Sequence, residues 1–236
     1  MKDDVRDAIA MVASLTLAVV WLKLCNAVRA HGMLSTVTAR KVIHIGTGPL
    51  FLVTWIFFSE AYYARIWAAL VPILITTQFV AVGTGMLRDD DAVQAMSRSG
   101  RASELLRGPL LYGIVFVGAT ILGWRNSSAA MASLCILCAG DGAAELVGRR
   151  WGTIRLPWSP AKSVAGSTAM FVAGFIVSAL MLGGFAAGGY LVLPPLGQLA
   201  IVVAVATAVE SLPLADVDNV TVAVAGVATA LFLGWH

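Results

Sequence analysis

The chain has 236 residues, of which 59% are hydrophobic and 12% are charged, and its mean hydropathy is +0.86. Soluble domains are about 45–50% apolar and about 25% charged, so this composition excludes a soluble enzyme. The net charge of +3 is too small to indicate nucleic acid as a partner. A spanning helix needs about 20 residues, so about eight spans with short loops account for one membrane domain over residues 1–236.

Eight apolar segments follow one another along the chain, each at or near the length of a spanning helix. They cover residues 8–25, 42–58, 66–86, 108–124, 129–147, 164–186, 190–209 and 218–235. None alternates apolar and polar residues as a membrane β-strand would. We therefore expect an all-α fold, a polytopic membrane helical bundle with about eight transmembrane helices. Seven are expected if the segment that contains Pro194 and Pro195 does not span.

The residues before the first apolar segment include the acids Asp3, Asp4 and Asp7. Transit peptides are rich in Arg and Ser and poor in acids. No small-residue cleavage pattern follows the first segment, so we expect it to be a retained helix.

Basic residues are divided unevenly between the loops. Twelve of the 16 Lys and Arg residues fall after the odd-numbered segments: Lys23, Arg29, Arg40, Lys41, Arg88, Arg98, Arg101, Arg107, Arg149, Arg150, Arg155 and Lys162. The other four are Lys2, Arg6, Arg65 and Arg125. The positive-inside rule places the odd loops in the cytoplasm or its organellar equivalent, and both termini on the opposite side.

Four clusters of polar residues fall at this predicted membrane face, where apolar segments begin or end. They comprise residues 40–46, 98–109, 140–150 together with 162–167, and 210–219. The last cluster contains Glu210, Asp216, Asp218 and Asn219. Because all four clusters are predicted on the same side of the membrane, they favour a single site at that membrane surface.

Asp141 and Glu145 are the most informative pair of polar residues. Residues four apart share a helix face, and a carboxylate inside a membrane usually faces a partner or an ion. Two carboxylates suit Mg²⁺, which takes one or two of them plus substrate phosphates. The structural alternative is an ion pair of these acids with Arg149 or Lys162.

Glycines flank Asp141 and also occur in two short motifs. Gly140 and Gly142 stand on either side of Asp141, and bare backbone beside an acid predicts close approach of a ligand. A P-loop pattern, GxxxxGK[ST], does not occur in the sequence. The Gly-Thr-Gly stretches at 46–48 and 83–85 lack the third glycine of a dinucleotide fingerprint.

Lys162, Ser163, Gly166 and Ser167 open the sixth apolar segment. Free backbone N–H groups and the helix dipole bind anions at such a position, and a lysine with two hydroxyls favours phosphate. The alternative is a serine cap with a snorkelling lysine. Both interpretations remain open from the sequence.

His44 lies one helical turn beyond Lys41 and on the same face. With Arg40 also adjacent, we expect His44 to contact a phosphate or the attacking hydroxyl, although a hydrogen-bonded packing role is the alternative. Glu104 and Arg107 are also candidates for substrate binding. The structural alternative is that they form a pair at the start of a helix.

The sequence resembles the polyprenol kinase family of membrane proteins in six stretches that occur in order. They are Arg40-Lys41-x-x-His44-x-Gly46, Glu104-Leu-Leu-Arg107-Gly108-Pro109, Gly140-Asp141-Gly142, Gly148-Arg149-Arg150-x-Gly152, Lys162-Ser163-x-x-Gly166-Ser167-x-x-Met170-Phe171, and Val209-Glu210-Ser211-Leu212-Pro213 with Asp218-Asn219. The resemblance covers about residues 39–222 and is greatest to the phytol kinase branch. Two positions depart from that branch: Glu145 stands where Asp is usual, and Val217 precedes Asp218 where paired acids are common.

The resemblance implies a kinase that transfers a phosphoryl group from a nucleoside triphosphate, typically CTP, to the hydroxyl of an isoprenoid alcohol in the bilayer. In the phytol kinase branch the alcohol is phytol from chlorophyll, and phytyl phosphate feeds tocopherol (vitamin E) synthesis. A plant or algal protein would lie in a plastid (chloroplast) membrane, and a cyanobacterial one in the thylakoid or plasma membrane. The expected partners are the lipid bilayer, phytol and the nucleotide, with Mg²⁺ as cofactor.

Residue chemistry and this resemblance together assign the site. We expect catalytic roles for Asp141, His44 and Lys162, and Mg²⁺ coordination by Asp141 and Glu145. The residues expected to bind the nucleotide or the alcohol are Arg40, Lys41, Glu104, Arg107, Gly140, Gly142, Arg149, Arg150, Ser163, Gly166, Ser167, Glu210, Asp218 and Asn219.

Two other functions are compatible with the same residues. A CTP-dependent phosphatidate cytidylyltransferase would use similar basic and acidic groups but retain the α-phosphate and release pyrophosphate. An ion-coupled transporter would relay ions through Asp141, Glu145 and His44. A transporter, however, distributes polar residues through the midplane, whereas these gather at one face.

Overall fold

The structure is a computed structural model that describes residues 2–214 and 217–235. Asp216 of the fourth polar cluster lies outside the described residues. Within them the chain forms ten α-helices: α1 (Lys2–Ala30), α2 (Thr36–Thr54), α3 (Ala64–Gly83), α4 (Asp90–Met96), α5 (Gly108–Gly118), α6 (Ser128–Cys135), α7 (Asp141–Trp151), α8 (Val164–Ala187), α9 (Leu196–Glu210) and α10 (Asp218–Phe232). In lipid a helix satisfies its own backbone polar groups, so apolar segments of this length become helical.

Shorter elements connect or extend these helices. Tight 3₁₀ turns occupy Trp55–Phe57 and Ala102–Leu106, and π turns occupy Ala119–Gly123 and Ile136–Gly140. Two strands, β1 (Arg155–Leu156) and β2 (Ser159–Ser163), pair antiparallel, with Arg155 opposite Ser163. The hairpin was not predicted from the sequence.

Each of the eight predicted apolar segments contains a helix, so the all-α membrane bundle is confirmed. Five helical stretches of the described residues are long and apolar enough to cross a membrane: Lys2–Ala30, Ala64–Gly83, Ala102–Gly123, Ser128–Trp151 and Val164–Ala187. Helices α9 and α10 are apolar but have 15 residues each, about 22 Å of helix at 1.5 Å per residue. Helix α9 begins at Leu196, later than predicted, because proline restricts the residue before it and lacks an N–H.

Contacts within the chain divide it into two compact units. The first comprises residues Met1–Ile43 and Val53–Leu122, and the second comprises His44–Leu52 and Gly123–His236. The middle of α2 therefore belongs to the second unit. The single domain expected from the sequence stays a prediction.

In the first unit, α3 packs against α1 and α5. Phe79, Val82 and Leu105 form one of its apolar clusters. Asp7 is fully buried and accepts hydrogen bonds from the backbone N–H and the hydroxyl of Ser59, at 2.6 and 2.8 Å. These bonds tie the first turns of α1 to the connection between α2 and α3.

In the second unit, the helix that runs from α6 into α7 is the most enclosed element. Every residue of α6 is buried, and α8 and α10 both pack against it. A Cβ on Gly48 would lie 2.4 Å from Sγ of Cys138, so α2 approaches this helix at backbone distance. The candidate site is built where the helix emerges from that enclosure.

Large apolar side chains also point away from the protein. Leu122, Val192 and Phe232 are 85%, 88% and 89% exposed. Such surfaces are stable in a bilayer, so the protein is a multi-pass membrane protein, as its composition predicts.

Candidate active site

A π turn, Ile136–Gly140, immediately precedes Asp141. The backbone N–H of Asp141 donates to the carbonyls of Cys138 and of Ile136, which is five residues earlier. In a regular α-helix its partner would be Leu137. The Leu137 carbonyl instead lies 3.1 Å from Nε2 of His44. Single π turns inside α-helices are frequent at functional sites, and this one brings a backbone oxygen within reach of the imidazole.

His44 on α2 and Asp141 at the start of α7 lie side by side in the second unit. Nε2 of His44 is 3.2 Å from Oδ2 of Asp141, and each side chain is 18% exposed. The Leu137 carbonyl and the Asp141 carboxylate are both acceptors, so Nε2 carries the hydrogen. The structure therefore brings two predicted catalytic residues together, with two acceptors at the same nitrogen of the imidazole ring.

Glu145 follows Asp141 by one turn and pairs with Arg149 of the same helix. Its Oε1 lies 3.0 Å from Nη2 and 3.1 Å from Nε of Arg149. The carboxylate is 19% exposed and the guanidinium is 60% exposed, so the pair lies at the edge of the protein. An ion pair with Arg149 was the structural alternative for this acid. Arg150 is also exposed, with its guanidinium 5.3 Å from the ring centroid of Trp151.

The chemistry of Asp141 and Glu145 is compatible with Mg²⁺, and its binding here stays a prediction. They offer two carboxylates on one helix face, each partly exposed, and Mg²⁺ commonly takes one or two carboxylates plus phosphates. Among the residues described, no group of three or more His, Cys, Asp or Glu side chains is arranged to hold a metal. A Mg²⁺ ion at Glu145 would compete with the Arg149 guanidinium.

The glycines that flank Asp141 are packed against neighbouring helices. A Cβ on Gly142 would lie 2.2 Å from Cγ1 of Ile45, and one on Gly140 would lie 3.1 Å from Cγ of Met170. The sequence suggested that both positions were left bare for a ligand. In the structure α2 approaches Gly142 too closely for a methyl group, and α8 lies in tight contact with the bare face of Gly140.

Lys162 and Ser163 end β2, and α8 begins at Val164, the boundary that the sequence predicted. The Ser163 hydroxyl accepts a hydrogen bond from the backbone N–H of Gly166 at 3.2 Å. Ser163 is therefore the helix cap that the structural alternative described. Gly166 is buried, and a Cβ there would lie 3.0 Å from the carbonyl oxygen of Ala144, so this face of α8 contacts α7 and not lipid.

Lys162 forms a short ion pair with Glu210 at the end of α9. Its Nζ donates to Oε1 of Glu210 at 2.5 Å and also to the backbone carbonyl of Glu210. The side chains are 22% and 8% exposed, respectively. Two residues predicted to act on the nucleotide thus meet each other.

Two other carboxylates interact electrostatically with Glu210. Asp141 and Asp218 lie close enough to repel its negative charge. The second unit therefore contains the Lys162–Glu210 pair together with the acids Asp141 and Asp218. Asn219 follows Asp218 directly, and its backbone N–H donates to Oδ1 of Asp218 at 3.0 Å.

Two buried hydroxyls of the second unit have no hydrogen-bond partner within the described part of the chain. They are Oγ of Ser167 on α8 and Oγ1 of Thr207 on α9, and these two helices pack against each other. Ser167 was predicted as a site residue, whereas Thr207 was not. A threonine in an apolar helix usually bonds to its own backbone, so the sequence carried no signal for it.

Four predicted binding residues belong to the first unit: Arg40, Lys41, Glu104 and Arg107. Lys41 is buried at 7% exposure, Arg40 is half-buried and Arg107 is exposed. Their assignment to substrate or nucleotide stays a prediction.

Glu104 organises the loop that precedes it. Its Oε2 accepts from the backbone N–H groups of Arg98 and Ser99, at 2.5 and 3.2 Å, and its Oε1 accepts from the Ser99 hydroxyl. The guanidinium of Arg101 lies 3.6 Å away. This carboxylate holds a loop, a role that neither sequence interpretation described.

Three curated relatives share much of this sequence. A probable chloroplastic phytol kinase of Triticum aestivum is 41% identical over 200 residues, 83% of this chain and 67% of that protein. Chloroplastic phytol kinase 1 of Arabidopsis thaliana is 39% identical over 197 residues, 81% of this chain and 65% of that protein. A chloroplastic farnesol kinase of the same plant is 39% identical over 194 residues, 80% of this chain and 62% of that protein.

The chain spans about two thirds of the length of these relatives. No family model and no solved structure matches it. With this identity over most of an all-α membrane chain, the protein belongs to the polyprenol kinase family, whose members are integral membrane kinases. Within that family its relatives are phytol and farnesol kinases.

Proposed function

We propose that this protein transfers the γ-phosphoryl group of CTP to the hydroxyl of phytol in the bilayer and forms phytyl phosphate. The observations that carry the proposal are two polar pairs of the second unit, His44 with Asp141 and Lys162 with Glu210. The names of relatives at about 40% identity support an isoprenoid alcohol as the acceptor.

In this reaction the alcohol oxygen forms a bond to the γ-phosphorus while the bond to the β,γ-bridging oxygen breaks. CDP leaves and the hydroxyl proton is released. Phosphoryl transfer depends on positioning and on neutralising charge more than on covalent chemistry. The groups of the second unit supply both requirements at the end of apolar helices, where a lipid alcohol meets a water-soluble nucleotide.

The contacts support individual roles for these residues within the proposed reaction. Lys162 neutralises the β- and γ-phosphates as a point charge. His44 orients the attacking hydroxyl, and Asp141 with the Leu137 carbonyl fixes the tautomer of its ring. Asp141 and Glu145 would hold Mg²⁺, which would neutralise the phosphates.

The cellular setting follows from the relatives and from the apolar surface. The named relatives are chloroplastic, and we propose a plastid membrane for a plant or algal chain and a thylakoid or plasma membrane for a cyanobacterial one. There phytyl phosphate would feed tocopherol synthesis.

The test is to incubate purified protein in lipid nanodiscs with γ-labelled CTP, Mg²⁺ and either phytol or phosphatidate. Label in a lipid product that depends on phytol is the expected result. Label in pyrophosphate that depends on phosphatidate would identify a cytidylyltransferase instead. No turnover with either acceptor would contradict both enzymes and favour an ion-coupled transporter. Parallel reactions with ATP, UTP and farnesol measure the preference for donor and acceptor.

A further inference from the structure

Lys162 is held at two points by a single residue. Its ammonium donates to the carboxylate of Glu210 at 2.5 Å and to the backbone carbonyl of the same residue. Glu210 is 7% exposed and ends α9, whereas Lys162 belongs to the short hairpin β1–β2. A buried acid at the end of α9 thus holds a cation that belongs to a small two-stranded element.

We propose that Glu210 is a positioning residue that directs the Lys162 ammonium to the nucleotide phosphates and does not itself bind substrate. The proposal rests on the proposed function, in which Lys162 acts on those phosphates. It revises the role expected for Glu210 from the sequence, which was direct contact with the nucleotide or the alcohol.

The number of donors on an ammonium group makes this arrangement workable. A lysine ammonium has three donors, and Glu210 accepts from two of them. In the described part of the chain, only Glu210 accepts from Lys162. The third donor remains for a ligand, and its direction is fixed because the other two are committed.

Positioning matters more for lysine than for arginine. The lysine side chain is a flexible stem that ends in a point charge, and its rotamer freedom is lost when it binds. Glu210 imposes that loss during folding, so the nucleotide meets an ammonium that is already in place. Such pre-organisation is a recognised source of affinity and of rate.

A second contact docks the same hairpin on the same end of α9. Nε1 of Trp158 donates to the hydroxyl of Ser211 at 3.1 Å, and Ser211 follows Glu210 directly. Trp158 lies in the turn between β1 and β2 and is 56% exposed, while Ser211 is buried. Adjacent residues of α9 and its cap therefore hold both the turn and the end of the hairpin.

An ordinary structural ion pair would look similar, so the test must separate the two roles. We compare the wild-type protein, Lys162→Met, Glu210→Gln and the double variant for turnover and for the KM of CTP and of phytol. Gln keeps an acceptor oxygen and removes the charge. Glu210→Gln should lower kcat/KM for CTP by about 10- to 100-fold, the scale of a misplaced catalytic group, with little change in the KM of phytol.

The double variant carries the decisive comparison. If Glu210 acts through Lys162, the Glu210→Gln change should cost less than about threefold further in a Lys162→Met background, because coupled residues are not additive. Effects that multiply in the double variant would overturn the proposal and give Glu210 its own contact with substrate. Wild-type kinetics in Glu210→Gln would also overturn it.

Charge reversal provides the second variant and a structural readout. In Lys162→Glu/Glu210→Lys the ion pair is rebuilt with its charges exchanged, so thermal stability and hydrogen-exchange protection of residues 155–163 should return toward wild type. Turnover should not return, because the cation now stands on α9. Recovery of turnover with stability would show that the pair is merely structural. Asp91→Asn, which removes an exposed acid, is the matched control and should leave every readout unchanged.

Equilibrium binding of labelled CTP to the same proteins separates this proposal from the choice of substrate. If the wild-type protein binds CTP but makes no phytyl phosphate, the phytol assignment is wrong and the coupling is read from the binding constants. If the wild-type protein binds no CTP, the role of Glu210 is overturned together with that of Lys162.

Discussion

Nε2 of His44 lies 3.2 Å from Oδ2 of Asp141, and the same nitrogen reaches the Leu137 carbonyl at 3.1 Å. Both contacts depend on the π turn Ile136–Gly140, which contains Leu137 and directly precedes Asp141. Each α-helical residue turns the chain by about 100°, so a helix without the inserted residue would carry the Asp141 side chain away from His44. The extra residue is therefore part of the site geometry.

Asp141→Asn should abolish most turnover and leave the fold intact. Asn preserves the shape and an acceptor oxygen for His44 but removes the charge that would hold Mg²⁺. Loss of one charge-stabilising group typically costs about 100- to 1,000-fold in rate. Turnover with labelled CTP and phytol measures the effect, and thermal unfolding in detergent controls for folding. Retention of more than about a tenth of the activity would contradict the assignment.

Gly142→Ala should destabilise the second unit through a clash with Ile45. The new Cβ would lie 2.2 Å from Cγ1 of Ile45, and overpacking of this kind costs about 1–3 kcal/mol. The companion change Ile45→Ala should recover part of that loss by making room. Gly184→Ala is the matched control, because a Cβ there meets no atom within 4 Å and alanine favours helix.

Thermal unfolding is measured for the wild type, Gly142→Ala, Gly142→Ala/Ile45→Ala and Gly184→Ala. The comparison distinguishes a packing role of Gly142 from a role in ligand access. Rescue of stability in Gly142→Ala/Ile45→Ala is the expected outcome. Unchanged stability in Gly142→Ala with a raised KM for CTP would instead restore the interpretation that the glycine clears space for the nucleotide.

Glu104→Ala should loosen the loop at residues 98–101. The carboxylate accepts from two backbone N–H groups and one hydroxyl there, and hydrogen bonds to a charged group contribute about 1.5–3 kcal/mol each. The loop contains Arg98 and Arg101, so trypsin cleavage after them should accelerate by about tenfold or more, on the scale of tenfold per 1.4 kcal/mol. Equal cleavage in wild type and variant would show that the loop is held by other contacts.

Loops after the odd-numbered segments should lie on one side of the membrane, opposite the loop that contains Asn126. The uneven distribution of basic residues motivates this expectation. Single cysteines at Met33 and Thr153 should react with a membrane-impermeant reagent from one side, and a cysteine at Asn126 from the other. All three positions are exposed, and the native cysteines are buried. Reaction of all three from the same side would contradict the topology.

The helices were predictable because hydropathy is a local property. The start of α8 at Val164 followed from the composition of its segment and from the serine cap before it. The start of α9 was displaced to Leu196, although Pro194 and Pro195 gave a usable warning. Helix α4 was not predicted. Asp89 caps it by accepting a hydrogen bond from the backbone N–H of Ala92 at 2.9 Å. This capping residue was not recognised because it begins a run of three aspartates.

The candidate site was predictable as a set of residues but not as a set of contacts. Lys162 and Glu210 were both singled out, yet their pairing joins residues far apart in the chain, and no local pattern encodes that distance. The hairpin escaped prediction because strands this short show no periodicity. The glycines beside Asp141 were interpreted as a surface for a ligand. A glycine in the sequence indicates that something approaches the backbone closely, but it does not distinguish a phosphate from a neighbouring helix.

The burial of α6 has a consequence for the order in which the helices of the second unit can pack during synthesis. Every residue of α6 is buried, and α10 covers it, with the Ser133 hydroxyl donating to the Ala223 carbonyl at 3.2 Å. Chains emerge from the ribosome N-terminus first, so α6 enters the membrane before the helices that cover it exist. The second unit therefore stays incomplete until its last helix arrives, and a chain cut short before α10 would present a small-residue surface of α6 to lipid or to the quality-control machinery of the cell.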